Sequence, residues 1–257
     1  MNPYEPRPAS ILDWLRTGVF YIYAVLITSV IGLIGLPGTW IDASNAKRTG
    51  SRWLRFMLGG ARVIAGIRVE FRGTLPAGDA LIAAKHQSFL DILAIASACP
   101  DRAFVMKREV MRVPIMGWFA RKVGCIPIDR ARGKDAMRQI ISEVESARST
   151  PDGLGQLIFY PEGTRTKPGT TVPYKPGVAI IQRATGLPVI PVAVNCGMFW
   201  PKRGYPIRRG TCVVEFLPGM AAGKSSDEVL RELAQQIEGA STRLFQLAGG
   251  KESLAEN

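Results

Sequence analysis

The sequence predicts an α/β fold, a mixed and mostly parallel sheet flanked by helices, preceded by a membrane-associated helical segment. Three observations predict it. After residue 66, short apolar runs of strand length alternate with segments of helical period, the pattern of a mostly parallel sheet. Before that point, Thr17 to Ile41 contains no charged residue. The chain has 257 residues, 47% hydrophobic and 21% charged, enough for one large packed domain and unlike a disordered polymer. A mean hydropathy of +0.09 is low for a polytopic membrane protein and high for a freely soluble one. The uncharged N-terminal run accounts for that middle value.

In chain order, the uncharged run comes first. It exceeds the ~20 apolar residues that cross a bilayer. Arg16 precedes it and Asp42 follows, with Lys47, Arg48, Arg52 and Arg55 close behind. The run is too long for a secretory signal and lacks a small-x-small cleavage site. Pro37, between Gly35 and Gly38, breaks a helix near its end. Residues 17–41 therefore either span the bilayer or enter one leaflet and turn back; a buried core helix is the alternative, though core helices rarely lack a polar face for so long. The denser positive charge after the run favours a cytoplasmic body. In residues 47–66 basic residues alternate with Trp53, Leu54, Phe56, Met57 and Leu58. That reads as an interfacial helix, or as a helix packed on the core. The organisation is an anchoring region over 1–64, a globular body over 65–250 and a tail over 251–257.

In the body, residues 67–73 are strand-like and 79–86 read as a buried strand. A helix follows from Ser88 to Ala98, with Ser88 as N-cap and Asp91 three residues on, a capping box. Residues 103–107 form a strand, 126–128 a short extended piece, and Arg132 to Arg148 has helical period through Met137, Ile140, Ile141 and Val144. Strands follow at 155–160, 188–195 and 212–217. The last helix starts at Ser225, with Glu228 completing a second capping box, and Gly249–Gly250 ends it.

Lys plus Arg number 33 and Asp plus Glu 21, a net charge of +12. That surplus calls for an anionic partner: nucleic acid, anionic lipid or a phosphorylated substrate. No helix-turn-helix, RRM or zinc-finger pattern supports nucleic acid. The four cysteines, Cys99, Cys125, Cys196 and Cys212, have no metal-ligand spacing and read as reduced thiols.

Four places hold candidate chemistry. His86 is the only histidine and ends a buried strand, where ligands bind in open α/β sheets. Asp91 can meet it only if His86 precedes the helix and Asp91 sits in its first turn. It would then take one ring nitrogen and leave the other to accept a proton from a hydroxyl. The alternative is that Asp91 only caps its helix. Glu162, Gly163, Thr164 and Arg165 stand where the strongest strand meets a loop, and Arg165 offers a planar fork suited to phosphate. An ordinary turn is the alternative there. Arg130, beside Asp129, ends the short strand, and a surface salt bridge would explain it equally. Lys107 ends its own strand, a candidate to share the sheet edge with His86.

Together these blocks resemble one family, the 1-acylglycerol-3-phosphate O-acyltransferases (lysophosphatidate acyltransferases) among the glycerolipid acyltransferases. The family's H-x-x-x-x-D block matches H-Q-S-F-L-D at 86–91, and G-C-I-P-I-D-R at 124–130 matches the second block. Y-P-E-G-T-R at 160–165 and V-I-P-V at 189–192 match the third and fourth, in family order over roughly 65–215. Two departures stand out: Lys85 where Asn is common, and Tyr160 for the usual Phe.

The resemblance implies the glycerolipid acyltransferase fold and acyl transfer from acyl-CoA or acyl carrier protein to the sn-2 hydroxyl of 1-acylglycerol-3-phosphate, giving phosphatidate. It implies His86 as general base, Asp91 as its orienting partner and Lys107 in a supporting cationic role. Arg130 and Arg165 would bind the lysolipid phosphate, with Glu162, Gly163 and Thr164 shaping that pocket. No metal or prosthetic group is required. Another lysolipid, such as lyso-ornithine lipid, is the alternative acceptor. A non-catalytic basic membrane adaptor would have no use for the His86–Asp91 pair. The basic-aromatic stretches 113–122 and 199–209 would help hold the body against the leaflet, or form ordinary core and rim.

Overall fold

The computed structural model describes residues 2–42, 44–129, 133–150 and 153–251. A seven-stranded sheet organises the body, in the order β1-β7-β6-β2-β5-β3-β4. Its strands are β1 (Ile67–Arg72), β2 (Ala80–Ala84), β3 (Arg102–Lys107), β4 (Ile126–Ile128), β5 (Gln156–Phe159), β6 (Val189–Val194) and β7 (Gly210–Phe216). Strands β6, β2, β5, β3 and β4 are mutually parallel. Strand β7 runs antiparallel to β6 and parallel to β1, which makes the sheet mixed.

Central β2 is buried at all five positions, as a parallel strand covered on both faces must be. Its alternation divides the core. Ala80, Ile82 and Ala84 face one apolar cluster, and Leu81 and Ala83 face the other. The first cluster is covered by α3 (Ser44–Val63) and α4 (Phe89–Ala98), the second by α6 (Lys134–Arg148), α7 (Gly177–Thr185) and α8 (Ser226–Leu247). Helix α7 has no counterpart among the elements expected from sequence. It is nine residues long, too short to establish a period. A short helix, α5 (Met116–Lys122), lies within the basic-aromatic stretch 113–122.

The N-terminal helix α1 runs Ile11–Gly35, starting before the uncharged run. Ser10 caps it, in a capping box with Asp13. Pro37 ends it as expected, and the four-residue α2 (Gly38–Ile41) turns the chain into α3. Helices α1 and α3 pack as an antiparallel pair. Tyr23 donates its hydroxyl to the Phe56 carbonyl at 2.8 Å, and Trp53 Nε1 donates to Thr28 Oγ1 at 2.9 Å. One side of α1 is docked on the body: Phe20 is fully buried, and Tyr21 donates to the Gly204 carbonyl at 2.6 Å. The other side exposes Ile11, Leu15, Ile22, Leu26 and Leu33. Helix α3 packs on the core through Leu54 and Met57, both buried, and leaves Arg48, Arg52, Arg55 and Arg62 exposed.

Candidate active site

Strand β2 delivers Lys85 and His86 to the C-terminal edge of the sheet, and α4 begins three residues later, at Phe89. That arrangement puts Asp91 in the first turn of the helix, facing back toward His86. His86 Nδ1 lies 2.9 Å from Asp91 Oδ1. The other oxygen, Oδ2, accepts the backbone N–H groups of Gln87 at 2.8 Å and Ser88 at 2.6 Å. Capping and orienting histidine are therefore not alternatives; one carboxylate does both. Asp91 is wholly buried, and the His86 side chain is 14% exposed. With Nδ1 engaged by a carboxylate, the proton is assigned to Nδ1, which leaves Nε2 as the acceptor.

The ring is held from its face as well. Tyr160 stacks on His86 with centroids 4.0 Å apart and planes at 24°. Burial, and then the charge of Asp91, push the Tyr160 phenol well above its ordinary value, so it stays neutral.

The loop after β5 closes around the same backbone. Glu162 Oε2 accepts the His86 N–H at 2.8 Å, and the Thr166 N–H donates to the His86 carbonyl at 2.8 Å. Thr166 Oγ1 also donates to Glu162 Oε1 at 2.9 Å. Glu162 thus holds the backbone of the general-base candidate. Gly163 has φ +68°, and a Cβ there would lie 2.8 Å from Lys175 Nζ, so the turn requires glycine. Thr164 is exposed in this turn.

Lys85 supplies the part the sequence reading did not see. Its ammonium lies 2.9 Å from Glu162 Oε1 and 2.8 Å from Glu238 Oε1, and it donates to the Thr170 carbonyl at 3.0 Å. Lys85 is 1% exposed. Tyr174 completes the cluster, donating to Glu238 at 2.7 Å. Burial, and then the charge of Glu238, raise its phenol far above the ordinary value. Lys85 was visible in the sequence only as a departure from a motif, and Glu238 on α8 carried no signal.

A groove of about 540 Å³ opens between α1, α3, the start of α4 and the loop after β5, lined by Phe89 and Arg165 but not by His86 itself. Its apolar wall includes Ala24, Val25, Trp53, Met57, Phe89 and Met116; Arg165, Lys202 and Arg203 also line it. Arg165 and Lys202 hold each other in place: Lys202 Nζ donates to the Arg165 carbonyl at 2.8 Å, and Arg165 donates to the Lys202 carbonyl at 3.3 Å. The stretch 199–209, read from sequence as membrane-contacting or rim, thus contributes two cations to the groove.

Lys107 is not brought into this constellation. Lys107 ends β3, two strands from β2, with its side chain 59% exposed and its ammonium 3.8 Å from Glu109. Arg130 lies outside the described residues, as does the start at Arg132 expected for the helix that begins at Lys134. The four cysteines are free thiols, all buried. Among the described residues no three His, Cys, Asp or Glu side chains gather into a metal-holding group.

The Acyltransferase family model matches residues 66–195, which include the His86–Asp91 pair and the Glu162 loop. The chain belongs to the acyltransferase family. This acyltransferase is 35% identical to a 1-acyl-sn-glycerol-3-phosphate acyltransferase of Pseudomonas aeruginosa over 89% of its own length and 90% of the relative's. It is 30% identical to the alpha form of that enzyme from Mus musculus, over 84% of this chain and 76% of the relative. Its fold matches the crystal structure of the 1-acyl-sn-glycerophosphate (LPA) acyltransferase from Thermotoga maritima. That match has a TM-score of 0.70 and 22% identity, and covers 90% of this chain and 95% of the other.

Proposed function

We propose that this acyltransferase moves a fatty acyl group from a thioester donor, acyl-CoA or acyl carrier protein, to the sn-2 hydroxyl of 1-acylglycerol-3-phosphate, giving phosphatidate. The observation that carries the reading is the groove lined by Phe89, three residues on from His86, and Arg165, three on from Glu162, which has an apolar wall and three cations in its lining. An acceptor with one acyl chain and a phosphomonoester matches both characters. The names of the relatives agree with that acceptor.

A secondary alcohol attacks poorly until a base takes its proton. His86 Nε2 takes it, and Asp91 stabilises the imidazolium that results. The alkoxide oxygen bonds to the thioester carbonyl carbon, forming a tetrahedral oxyanion. Collapse of that oxyanion breaks the carbon–sulfur bond, and the imidazolium returns its proton to the departing thiolate. Glu162, Thr166 and Tyr160 hold the imidazole still throughout. Arg165, with Lys202 and Arg203, binds the acceptor phosphate.

The same reading places the protein at a membrane. Helix α1 is long and apolar enough to cross one, yet it is tied to the body from Asp13 through Tyr21 and to α3 beyond. A helix docked along its length with one apolar side free suits insertion into a single leaflet better than a crossing. The basic residues on α3 would meet lipid phosphates, and the positive charge after α1 favours the cytoplasmic face.

The test is acyl transfer by detergent-solubilised protein, with labelled donors and a panel of lysolipids. Phosphatidate should form from lysophosphatidate. His86→Ala should lower kcat at least about 10²-fold. Arg165→Ala should chiefly raise the KM for lysophosphatidate. Turnover confined to an acceptor without a phosphomonoester, such as lyso-ornithine lipid, would replace the substrate. Near-normal turnover by His86→Ala would overturn the mechanism.

A further inference from the structure

A second cavity, of about 470 Å³, is lined by Arg7, Arg16, Arg62, Arg68 and Arg209. These side chains come from the N-terminal arm, α1, the end of α3, β1 and the segment before β7. Among the described residues only two carboxylates face them. Asp13 pairs with Arg209 at 3.0 Å, and Glu5 lines the wall. Five guanidiniums against two carboxylates leave a surplus of three positive charges. Arg7, Arg16, Arg62 and Arg68 have no ion pair or side-chain hydrogen bond among the described residues. Convergence of unpaired like charges is unfavourable until an anion completes it.

The cavity is built rather than incidental. The arm that closes it is tied down: the Thr211 N–H donates to the Pro3 carbonyl at 2.8 Å, and the Arg7 N–H to the Arg209 carbonyl at 3.3 Å. Tyr4 donates to Glu70 at 2.8 Å, and the Asn2 amide to the Leu247 carbonyl at 3.0 Å. Gly66 has φ +73°, and a Cβ there would lie 2.5 Å from Arg209 Cγ. Glycine is what lets the Arg209 side chain cross at that point on its way to Asp13.

Its position follows from topology. Strands β1 and β7 run opposite to β6 and β2, so their N-terminal ends open at the edge where β2 delivers His86. Three strand spacings separate β2 from β1 in the sheet, roughly 14 Å at the usual interval. The cavity and the base therefore share one edge of the molecule without sharing residues.

We propose that this cavity binds clustered phosphates, specifically the pyrophosphate and 3′-phosphate of a CoA-borne acyl donor. The proposal rests on the thioester-dependent reading above and selects between its two donors. Guanidinium forks match phosphate oxygens in pairs. A surplus of three charges suits a group bearing several negative charges better than a lipid phosphodiester bearing one. A site displaced from His86 along the same edge also leaves room for an extended arm to carry the thioester to the base.

The test uses the full-length protein in detergent, titrated with CoA, with adenosine 3′,5′-bisphosphate and with phosphatidylglycerol vesicles. The variant is Arg62→Gln/Arg68→Gln, both exposed positions. Arg138→Gln/Arg183→Gln, on α6 and α7, is the control with equal charge loss. The cavity variant should bind CoA and the bisphosphate at least about tenfold more weakly, the control within about twofold. The KM for acyl-CoA should rise by a similar factor while that for lysophosphatidate stays put. Competition of the bisphosphate with acyl-CoA in the wild type reads the same site without any substitution. Equal CoA affinity in wild type and cavity variant would overturn the proposal, as would equal weakening in the control. Weakened vesicle binding with CoA unchanged would assign the cavity to lipid headgroups instead. Turnover only with acyl carrier protein would also overturn it. CoA binding lost with the cavity arginines, in a protein that acylates no lysophosphatidate, would sink the acceptor reading and leave this site standing.

Discussion

His86 is held by four independent contacts: a carboxylate on Nδ1, a ring on its face, a carboxylate on its N–H and an amide on its carbonyl. The third depends on Lys85. That ammonium lies between Glu162 and Glu238, with Lys85 and Glu162 out of contact with water. Breaking a buried pair by removing one partner typically costs about 3–5 kcal/mol, because a charge is left unpaired. Lys85→Met should destabilise the protein by that order in denaturant titration, and should lower kcat as the Glu162 anchor loosens. A change under about 1 kcal/mol would mean that water or another cation takes the place of Lys85. At this scale the sequence was informative about types and nearly silent about partners. The spacing of His86 and Asp91 with the Ser88 cap made their contact legible, because one turn of helix determines it. Glu238 lies 153 residues beyond Lys85, and no local rule connects the two.

Helices α1 and α3 show how glycine placement determines an interface. Gly59 and Gly60 are neighbours in α3 with opposite surroundings. A Cβ at Gly59 meets nothing within 4 Å, whereas one at Gly60 would lie 2.2 Å from Tyr23 Cε1. Tyr23 is not free to yield, since its hydroxyl bonds the Phe56 carbonyl and its ring lies against Phe20. Gly59→Ala should therefore stabilise the protein by up to about 1 kcal/mol through helix propensity alone. Gly60→Ala should destabilise it by about 1–3 kcal/mol through overpacking. Thermal melts of the two variants in one detergent give the comparison, and equal shifts would mean that the helices are not packed against each other. The apolar run, its Pro37 terminus and both body capping boxes were legible because each is a local signal. Helix α7 was not, because nine residues between Pro176 and Gly186 offer too few turns for a period.

For the whole molecule, the N-terminal arm fastens the antiparallel end of the sheet. Tyr4 reaches Glu70 on β1, and Arg72 donates to the same carboxylate at 2.7 Å. The Arg72 bond first, with the Tyr4 hydroxyl adding to it against the cost of burial, holds Glu70 below its ordinary value of about 4.5. A lowered carboxyl contributes stability that is present above the unfolded-state value and lost as pH falls through the folded-state one. The difference in melting temperature between wild type and Glu70→Gln should therefore be largest near neutrality. It should shrink as pH is lowered below about 4.5. A difference that stays constant into acid would show that Glu70 contributes through packing rather than charge.

The sequence by itself determined most of the element types, α7 excepted, together with the N-terminal apolar segment, the family blocks and the His86–Asp91 pair. Each depends on residues within a turn or a strand of one another, where backbone geometry leaves few choices. Only the tertiary structure decided that Lys85 joins Glu162 to Glu238, that Lys202 and Arg203 belong to the groove, and that Lys107 does not contact His86. It also decided that five arginines from five segments share one cavity. The arginine cavity forms where the N-terminal arm meets the starts of β1 and β7, and the Lys85 cluster where α8 reaches the end of β2. Strand order and direction bring them together, and neither is written in the spacing of residues along the chain.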